Sequence, residues 1–213
     1  MQKMIQELAP GRDIKLAVNE WNTTLPVPRQ HSMESALYAA RLMNVFERTG
    51  DVVQMSAVSD MVNGWTGGVI QASRHAVFVT PTYLVNTLYA SHLGRDRLAS
   101  TIRGPTFDST LEGKTVPTVD AVVTRSEDGK RIFIKAVNTD PSTAITTNVS
   151  LTGVRVAQQA QIETVKGDSL AASNDFSHPD VVHVETGQIA AGPSFTVTLP
   201  EHSVSAITLD VKQ

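Results

Sequence analysis

Up to about residue 100 the apolar positions recur mostly at helical spacing, with short strand-like runs between them. Ile14-Lys15-Leu16-Ala17-Val18 is a short β-rich run ending on the polar pair Asn19-Glu20, and it predicts a buried strand. A loop with Pro26 and Pro28 follows. Ser32-Met33-Glu34-Ser35 opens a helix through about Glu47. Its apolar positions Ala36, Leu37, Ala40, Leu42, Met43, Val45 and Phe46 share one wide face, and Thr49-Gly50 ends it. Val52 to Val62 predicts a second strand, over Met55 to Met61, leading into the glycine-rich loop Asn63-Gly64-Trp65-Thr66-Gly67-Gly68. Thr80-Pro81 starts another helix, with proline in its first turn, running to about Leu93-Gly94. Strand, helix, strand, helix at this spacing reads as two successive βα units.

Beyond residue 100 the period becomes two. Val119 to Thr124 and Arg131 to Asn138 flank Glu127-Asp128-Gly129-Lys130, whose Asp-Gly pair marks a β-hairpin. Ile145 to Leu151, Arg155 to Val165, Ser194 to Leu199 and Ser203 to Val211 are further predicted strands, punctuated as in an antiparallel sandwich. The expected architecture is therefore α/β plus all-β. Residues 1–99 form the βα part and 100–213 the sandwich, with the boundary near residues 96–116.

Length now constrains this picture. A complete (β/α)₈ barrel takes about 250 residues, and this chain has 213 in all. The net charge is −3 without a patch-forming run, which argues against a nucleic-acid partner. There is no cysteine, so disulfides, thiolate metal sites and a thiol nucleophile are excluded. Glu7 sits where a signal peptide would need its apolar core, and no uncharged apolar run approaches the ~18 residues of a membrane span. A soluble protein, cytoplasmic rather than secreted and without a membrane partner, is expected.

The strongest single chemical feature is Glu20, at the C-terminal end of a predicted βα-unit strand in Leu16-Ala17-Val18-Asn19-Glu20-Trp21-Asn22. In parallel βα architectures such residues point into the site. A carboxylate beside a tryptophan suits sugar chemistry: the ring stacks on a sugar face and the carboxylate attacks the anomeric carbon or accepts hydroxyl protons. The plainer reading is a glutamate that caps or salt-bridges its loop.

That segment, the helix Met33 to Phe46 and Val58-Ser59-Asp60-Met61-Val62-Asn63 together resemble the α-L-arabinofuranosidases of glycoside hydrolase family 51. Thr80-Pro81-Thr82-Tyr83 and Leu199-Pro200-Glu201-His202-Ser203-Val204 extend the resemblance over nearly the whole chain, but only to the family's C-terminal part. The resemblance implies the last two βα units of a (β/α)₈ barrel followed by a jelly-roll-like β-sandwich, and a retaining mechanism on arabinose-containing carbohydrates. It makes Glu20 the nucleophile, with Trp21 and Asn22 flanking it. It places Asn63 and Trp65 on the loop lining the sugar pocket. Arg74-His75 loosely matches a substrate-contacting pair that is usually Arg-Gln, and His75 departs from that pattern.

The family's second carboxylate, the general acid/base, lies in a Gly/Ala-Asn-Glu stretch that does not occur here. A retaining mechanism needs two carboxyl groups about 5–5.5 Å apart. Asp60 is expected inside a strand, and Glu34 and Asp51 on the helix and its exit, so none is a persuasive substitute. His31 reads as a helix cap, His92 as a cation in a last helical turn, and Tyr83 and Tyr89 as helix core. His178 and His183, five apart, are poor metal ligands. Asp175 and Asp180 are loop oxygens of the kind that bind structural calcium, but no metal or cofactor is assigned. Two readings follow: the C-terminal portion of a glycosidase, or a non-catalytic carbohydrate-binding sandwich. In the first, the open edges of the parallel strands call for an N-terminal partner polypeptide that completes the barrel, a homo-oligomer, or a longer parent chain.

Overall fold

The computed structural model describes residues 2–64, 67–111 and 113–212. In chain order its elements are α1 (Gln2–Leu8), β1 (Leu16–Trp21), a 3-10 turn (Arg29–His31), α2 (Met33–Arg48), β2 (Val53–Val58), β3 (Ile70–Ala72), β4 (Val77–Val79), α3 (Pro81–Ser91), β5 (Asp96–Arg97), β6 (Thr106–Ser109) and β7 (Gly113–Pro117). The rest is β: β8 (Val119–Arg125), β9 (Arg131–Asn138), β10 (Ile145–Ser150), β11 (Gln159–Lys166), β12 (His183–Ala190), β13 (Ser194–Leu199) and β14 (Ser203–Asp210). The fold is mostly β with few helices. Among the described residues, no helix is long and apolar enough to cross a membrane.

A six-stranded antiparallel sheet, in the order β12-β11-β14-β9-β8-β5, organises the molecule. Alternation along its central strands gives it two buried faces. Ile132, Ile134 and Ala136 of β9 and Ile207 and Leu209 of β14 meet Phe195, Val197 and Leu199 of β13, which pairs antiparallel with β10. On the opposite face, Val137 of β9, Val165 of β11 and Val204 and Ala206 of β14 receive Met33, Ala36, Leu37, Ala40 and Met43 of α2 and Val85, Leu88 and Tyr89 of α3. One apolar layer therefore joins the helices to the sheet. β1 and β2 form a separate parallel pair with two register irregularities.

Buried polar groups hold that helix–sheet layer in register. Tyr89 Oη donates to Asn44 Oδ1 at 2.6 Å, and Asn44 Nδ2 donates to Asp120 Oδ2 at 2.9 Å. Arg48 Nη1 lies 2.7 Å from Asp120 Oδ1. His92, just past the last turn of α3, is buried: Nδ1 is 2.7 Å from the Leu88 carbonyl and Nε2 is 3.1 Å from Glu163. Lys135 is wholly buried on β9, with Nζ on the Glu47 carboxylate and donating to the His92 carbonyl at 2.9 Å.

The strand ends differ from the expected ones for local reasons. β1 runs on through Asn19 and Glu20 because Trp21 is buried and Ser59 N donates to its carbonyl, so pairing continues past the apolar run. β2 stops at Val58 rather than Met61, because Asp60 (φ 60°) and Asn63 (φ 51°) adopt the left-handed conformation that closes a turn. Asp60 thus lies outside the strand that was expected to contain it. His178 also sits outside any strand, and β12 begins only at His183.

Three aspartates, Asp128 and Asp175 exposed and Asp140 half-buried, brace turns in the sheet half. Asp128 accepts from the Ser126 hydroxyl and Lys130 N, Asp140 from Ser142 N and Thr143 N, and Asp175 from Ser177 N and His178 N. These bonds favour the ionised forms and hold all three below the usual carboxylate range. The Ser126 hydroxyl contributes most at Asp128, the Ser142 amide at Asp140 and the His178 amide at Asp175. A depressed folded value gives stability that is present above the unfolded value and lost as pH falls through the folded one. Asn at all three positions keeps an acceptor but removes the titration. The triple variant is therefore expected to lose less stability than the parent between about pH 5 and pH 2.5, read from urea midpoints at each pH.

Candidate active site

Residues at the end of β1 point alternately to opposite sides. Trp21 turns inward, 9% exposed, with its ring edge-on to Phe46 of α2 at 5.9 Å between centroids. Its indole is part of the helix-facing core, so it supports the strand end from behind and offers no open face for a sugar to stack on. Glu20 is exposed, and among the described residues its carboxylate has no hydrogen bond or ion pair. Among those residues it neither caps nor salt-bridges its loop.

Asn22 spends its polar capacity on the neighbouring loop. Nδ2 donates to the carbonyls of Ser59 and Gly67, each at 3.2 Å, and Oδ1 accepts from Thr23 N at 2.8 Å. Asn22 therefore ties the end of β1 to both limbs of the 59–67 loop. Thr23 Oγ1 pairs with Ser35 Oγ at 2.9 Å, and Gln30 Nε2 donates to the Thr23 carbonyl at 3.0 Å, which locks the strand exit to the start of α2. Gly68 is needed for close approach to backbone, whereas Gly67 meets the end of a side chain. A Cβ on Gly68 would stand 2.6 Å from Asn63 N, and one on Gly67 2.5 Å from Gln30 Nε2. Asn22→Ala is expected to cost about 1–2 kcal/mol and to raise amide exchange over 59–69. A urea titration with hydrogen exchange checks this; unchanged exchange there would show that the loop is held by other means.

Asn63 continues the chain of contacts outward. Its Oδ1 accepts from Ala72 N at 2.8 Å and its Nδ2 donates to the Ala72 carbonyl at 2.9 Å, so its amide mimics a strand pair and pins the β3–β4 hairpin. His75 and Arg74 are exposed in that hairpin's turn, where Ser73 Oγ accepts from His75 N at 3.3 Å. Trp65 lies outside the described residues. Asn22 and Asn63 thus hold the backbone of one loop–hairpin assembly beside the strand end that carries Glu20, and His75 lies in the hairpin's turn.

The sequence gives little sign of a third contributor, the 169–182 segment from the sheet half. Its backbone accepts from Met33 N and Glu34 N at the start of α2, and Asn174 Nδ2 donates to the Val79 carbonyl at 2.9 Å. Phe176 packs edge-on to Phe78 of β4 at 4.8 Å, and His31 lies 6.5 Å from the same ring. The Asn-Asp-Phe run has no periodicity to mark it. Among the described residues, no group of three or more His, Asp or Glu side chains is arranged to hold a metal.

Residues 19–203 match the family described as Alpha-L-arabinofuranosidase C-terminal domain. The chain belongs to that family. It corresponds to the C-terminal part of the family 51 arabinofuranosidases. An intracellular exo-α-L-arabinofuranosidase of Bacteroides ovatus is 26% identical over 80% of this chain and 34% of its own length. α-L-Arabinofuranosidase 1 of Arabidopsis thaliana is 26% identical over 92% of this chain and 29% of its own. The solved family 51 α-L-arabinofuranosidase of Thermotoga petrophila superposes with a TM-score of 0.88 at 23% identity, covering 98% of this chain and 46% of that one. The chain thus spans between about a third and a half of these relatives' lengths.

Proposed function

We propose that this chain supplies the nucleophile-bearing part of a retaining α-L-arabinofuranosidase, which removes terminal α-L-arabinofuranosyl residues from arabinose-containing polysaccharides or oligosaccharides. The observation that carries the reading is the Glu20 carboxylate: exposed, unpaired among the described residues, and set at the C-terminal end of a parallel strand over a rigid support of Trp21 and Asn22. In this reading residues 1–99 are the last two βα units of the barrel, residues 100–213 are the sandwich, and the catalytic site opens at the ends of β1 and β2.

Glu20 attacks the anomeric carbon while a protonated carboxyl group delivers its proton to the leaving oxygen. A glycosyl ester forms on Glu20, and water, deprotonated by the same second group, then releases arabinose with retention. The family's acid/base stretch does not occur in this sequence, so the second group comes from the polypeptide that the relatives carry outside the matched part. The exposed apolar side chains of this region agree: Ile14, Met55, Met61 and Val62 are each between 41% and 59% exposed. Such side chains and the open strand edges call for a cover, which a preceding polypeptide or further copies of the chain would provide.

One observation favours the competing reading of a non-catalytic carbohydrate-binding unit: the sequence lacks the family's acid/base stretch, and a lone nucleophile cannot run the two-step reaction. An aryl α-L-arabinofuranoside separates the two. The chain preceded, in one polypeptide, by the unmatched part of the Thermotoga petrophila enzyme is expected to hydrolyse it, and the chain alone to give no turnover. Arabinan binding without hydrolysis by the joined protein would sink the enzymatic reading.

A further inference from the structure

Charge is unevenly shared over the molecule. Residues 95–97, 125–131, 155 and 210–212 meet at one end of the large sheet and carry seven Lys and Arg against four Asp and Glu. The rest of the chain carries eleven against seventeen, so a protein of net charge −3 keeps one basic end. Two of the seven cations are engaged locally. Arg95 Nη1 lies 2.8 Å from Glu127 Oε1, and Arg125 donates from Nε and Nη2 to the Gly129 carbonyl at 3.0 and 2.8 Å.

Four of the others form a row on one face. Val156, ahead of β11, bridges to Val211, just past β14, and both turn into the sandwich core. Arg155, Asp210 and Lys212 therefore stand on the opposite face, with Lys212 N donating to the Arg155 carbonyl at 2.8 Å. Arg131 pairs with Asp210, and Arg97 pairs with Thr124, itself the partner of Phe133, so both arginines join that face. Arg155, Lys212, Arg131 and Arg97 are exposed, and among the described residues none has an ion pair or a side-chain hydrogen bond. β14, β9 and β8 lie between β11 and β5. At about 4.8 Å per strand the row spans roughly 19 Å.

We infer that this row binds a polysaccharide bearing a carboxylate on each sugar, and so anchors a polymer whose arabinose branches are the proposed substrate. The choice of a carbohydrate rests on the proposed function, and the choice of an acidic one on the row itself. Successive strands present cations at a step close to that of the polymer's carboxylates, and the three guanidinium forks match carboxylates in a bidentate way. Asp210 is the one acid on this face of the row. Nucleic acid fits less well: single strands are held by exposed aromatic platforms and duplexes by a broad basic field. Phe133, the ring beside Arg131, is buried, and the rest of the molecule is acidic. The row stands at the start of β11, whereas the 169–182 segment bordering the candidate site follows that strand's end, so the polymer is held away from the Glu20 region.

Affinity electrophoresis of the full chain through gels holding polygalacturonate or duplex DNA tests this. Polygalacturonate is expected to retard the chain at about 20 mM salt and to release it by about 200 mM, because exposed charge contacts are screened. The variant Arg97→Gln, Arg131→Gln, Arg155→Gln, Lys212→Gln should bind about tenfold more weakly. Lys3→Gln, Arg12→Gln, Lys114→Gln, Lys166→Gln loses the same charge elsewhere and should stay within about twofold of the parent. Asp210→Asn should tighten binding. No retardation by polygalacturonate, equal weakening of the two fourfold variants, or stronger retardation by DNA would overturn the inference. Turnover of an aryl arabinofuranoside by the joined protein reports on the proposed function separately. Its absence would sink that reading while retention on polygalacturonate stood, and turnover without retention would sink this inference alone.

Discussion

Lys135→Ala is expected to lower the unfolding free energy by about 3–5 kcal/mol, because it strands a buried carboxylate. Lys135 is fully buried in the middle of β9, between the large sheet and the two helices. Its Nζ takes the Glu47 carboxylate from α2, the His92 carbonyl at the end of α3 and the Thr124 hydroxyl of β8 at 3.4 Å, and it stands 5.5 Å from the Tyr89 ring centroid. Burial pushes the ammonium below its ordinary value and Glu47 above its own, with the attraction between them opposing both shifts. Burial is the larger influence on each group. The single variant leaves Glu47 desolvated and alone. The double variant Lys135→Met, Glu47→Leu removes both charges at similar volume and is expected to recover most of the loss. Urea midpoints of the parent, single and double variants check this. A single-variant loss below about 1 kcal/mol would show that the helix layer is not fastened to the sheet at this point.

Glu20→Gln is expected to do the opposite: to leave folding alone and abolish chemistry. The side chain is exposed and unpaired among the described residues, so the unfolding free energy should stay within the roughly ±0.5 kcal/mol usual for such surface changes. In the joined protein, turnover of an aryl arabinofuranoside should fall by about 10³-fold or more, as removal of a covalent nucleophile does. Glu20→Ala with added azide is expected to recover part of the lost rate, because the small anion occupies the vacated volume and attacks in place of the carboxylate. The sugar azide formed has the inverted configuration. A large stability loss on Glu20→Gln would instead mark the residue as structural.

α2, α3, β1, the β8–β9 hairpin and most strands of the large sheet were legible because each pairs a clear period with a clear stop: Ser32 before α2, Pro81 at the head of α3, Asp128-Gly129 between β8 and β9; α1 was not among the predicted elements. β12 was not, since His183-Val184-Glu185-Thr186-Gly187-Gln188-Ile189-Ala190 is an edge strand exposed over much of its length and carries almost no apolar alternation. Nor was the helix–sheet layer. Lys135 in an apolar strand looks like an interruption until Glu47, 88 positions earlier, folds onto it. The placement of Glu20 at a strand end was legible from the apolar run before it. The separate jobs of its neighbours were not, because Trp21 becomes core only when Phe46 arrives, and Asn22 becomes a tether only when Ser59 and Gly67 are brought to it.

The most direct measurement is the site of covalent attachment. The joined protein, treated with an aryl α-L-arabinofuranoside bearing a good leaving group and quenched in acid, should carry one arabinosyl ester on the peptide containing Glu20. That adduct should be absent from Glu20→Gln. An adduct on another carboxylate, or undiminished turnover in Glu20→Gln, would contradict the assignment of Glu20 as the nucleophile.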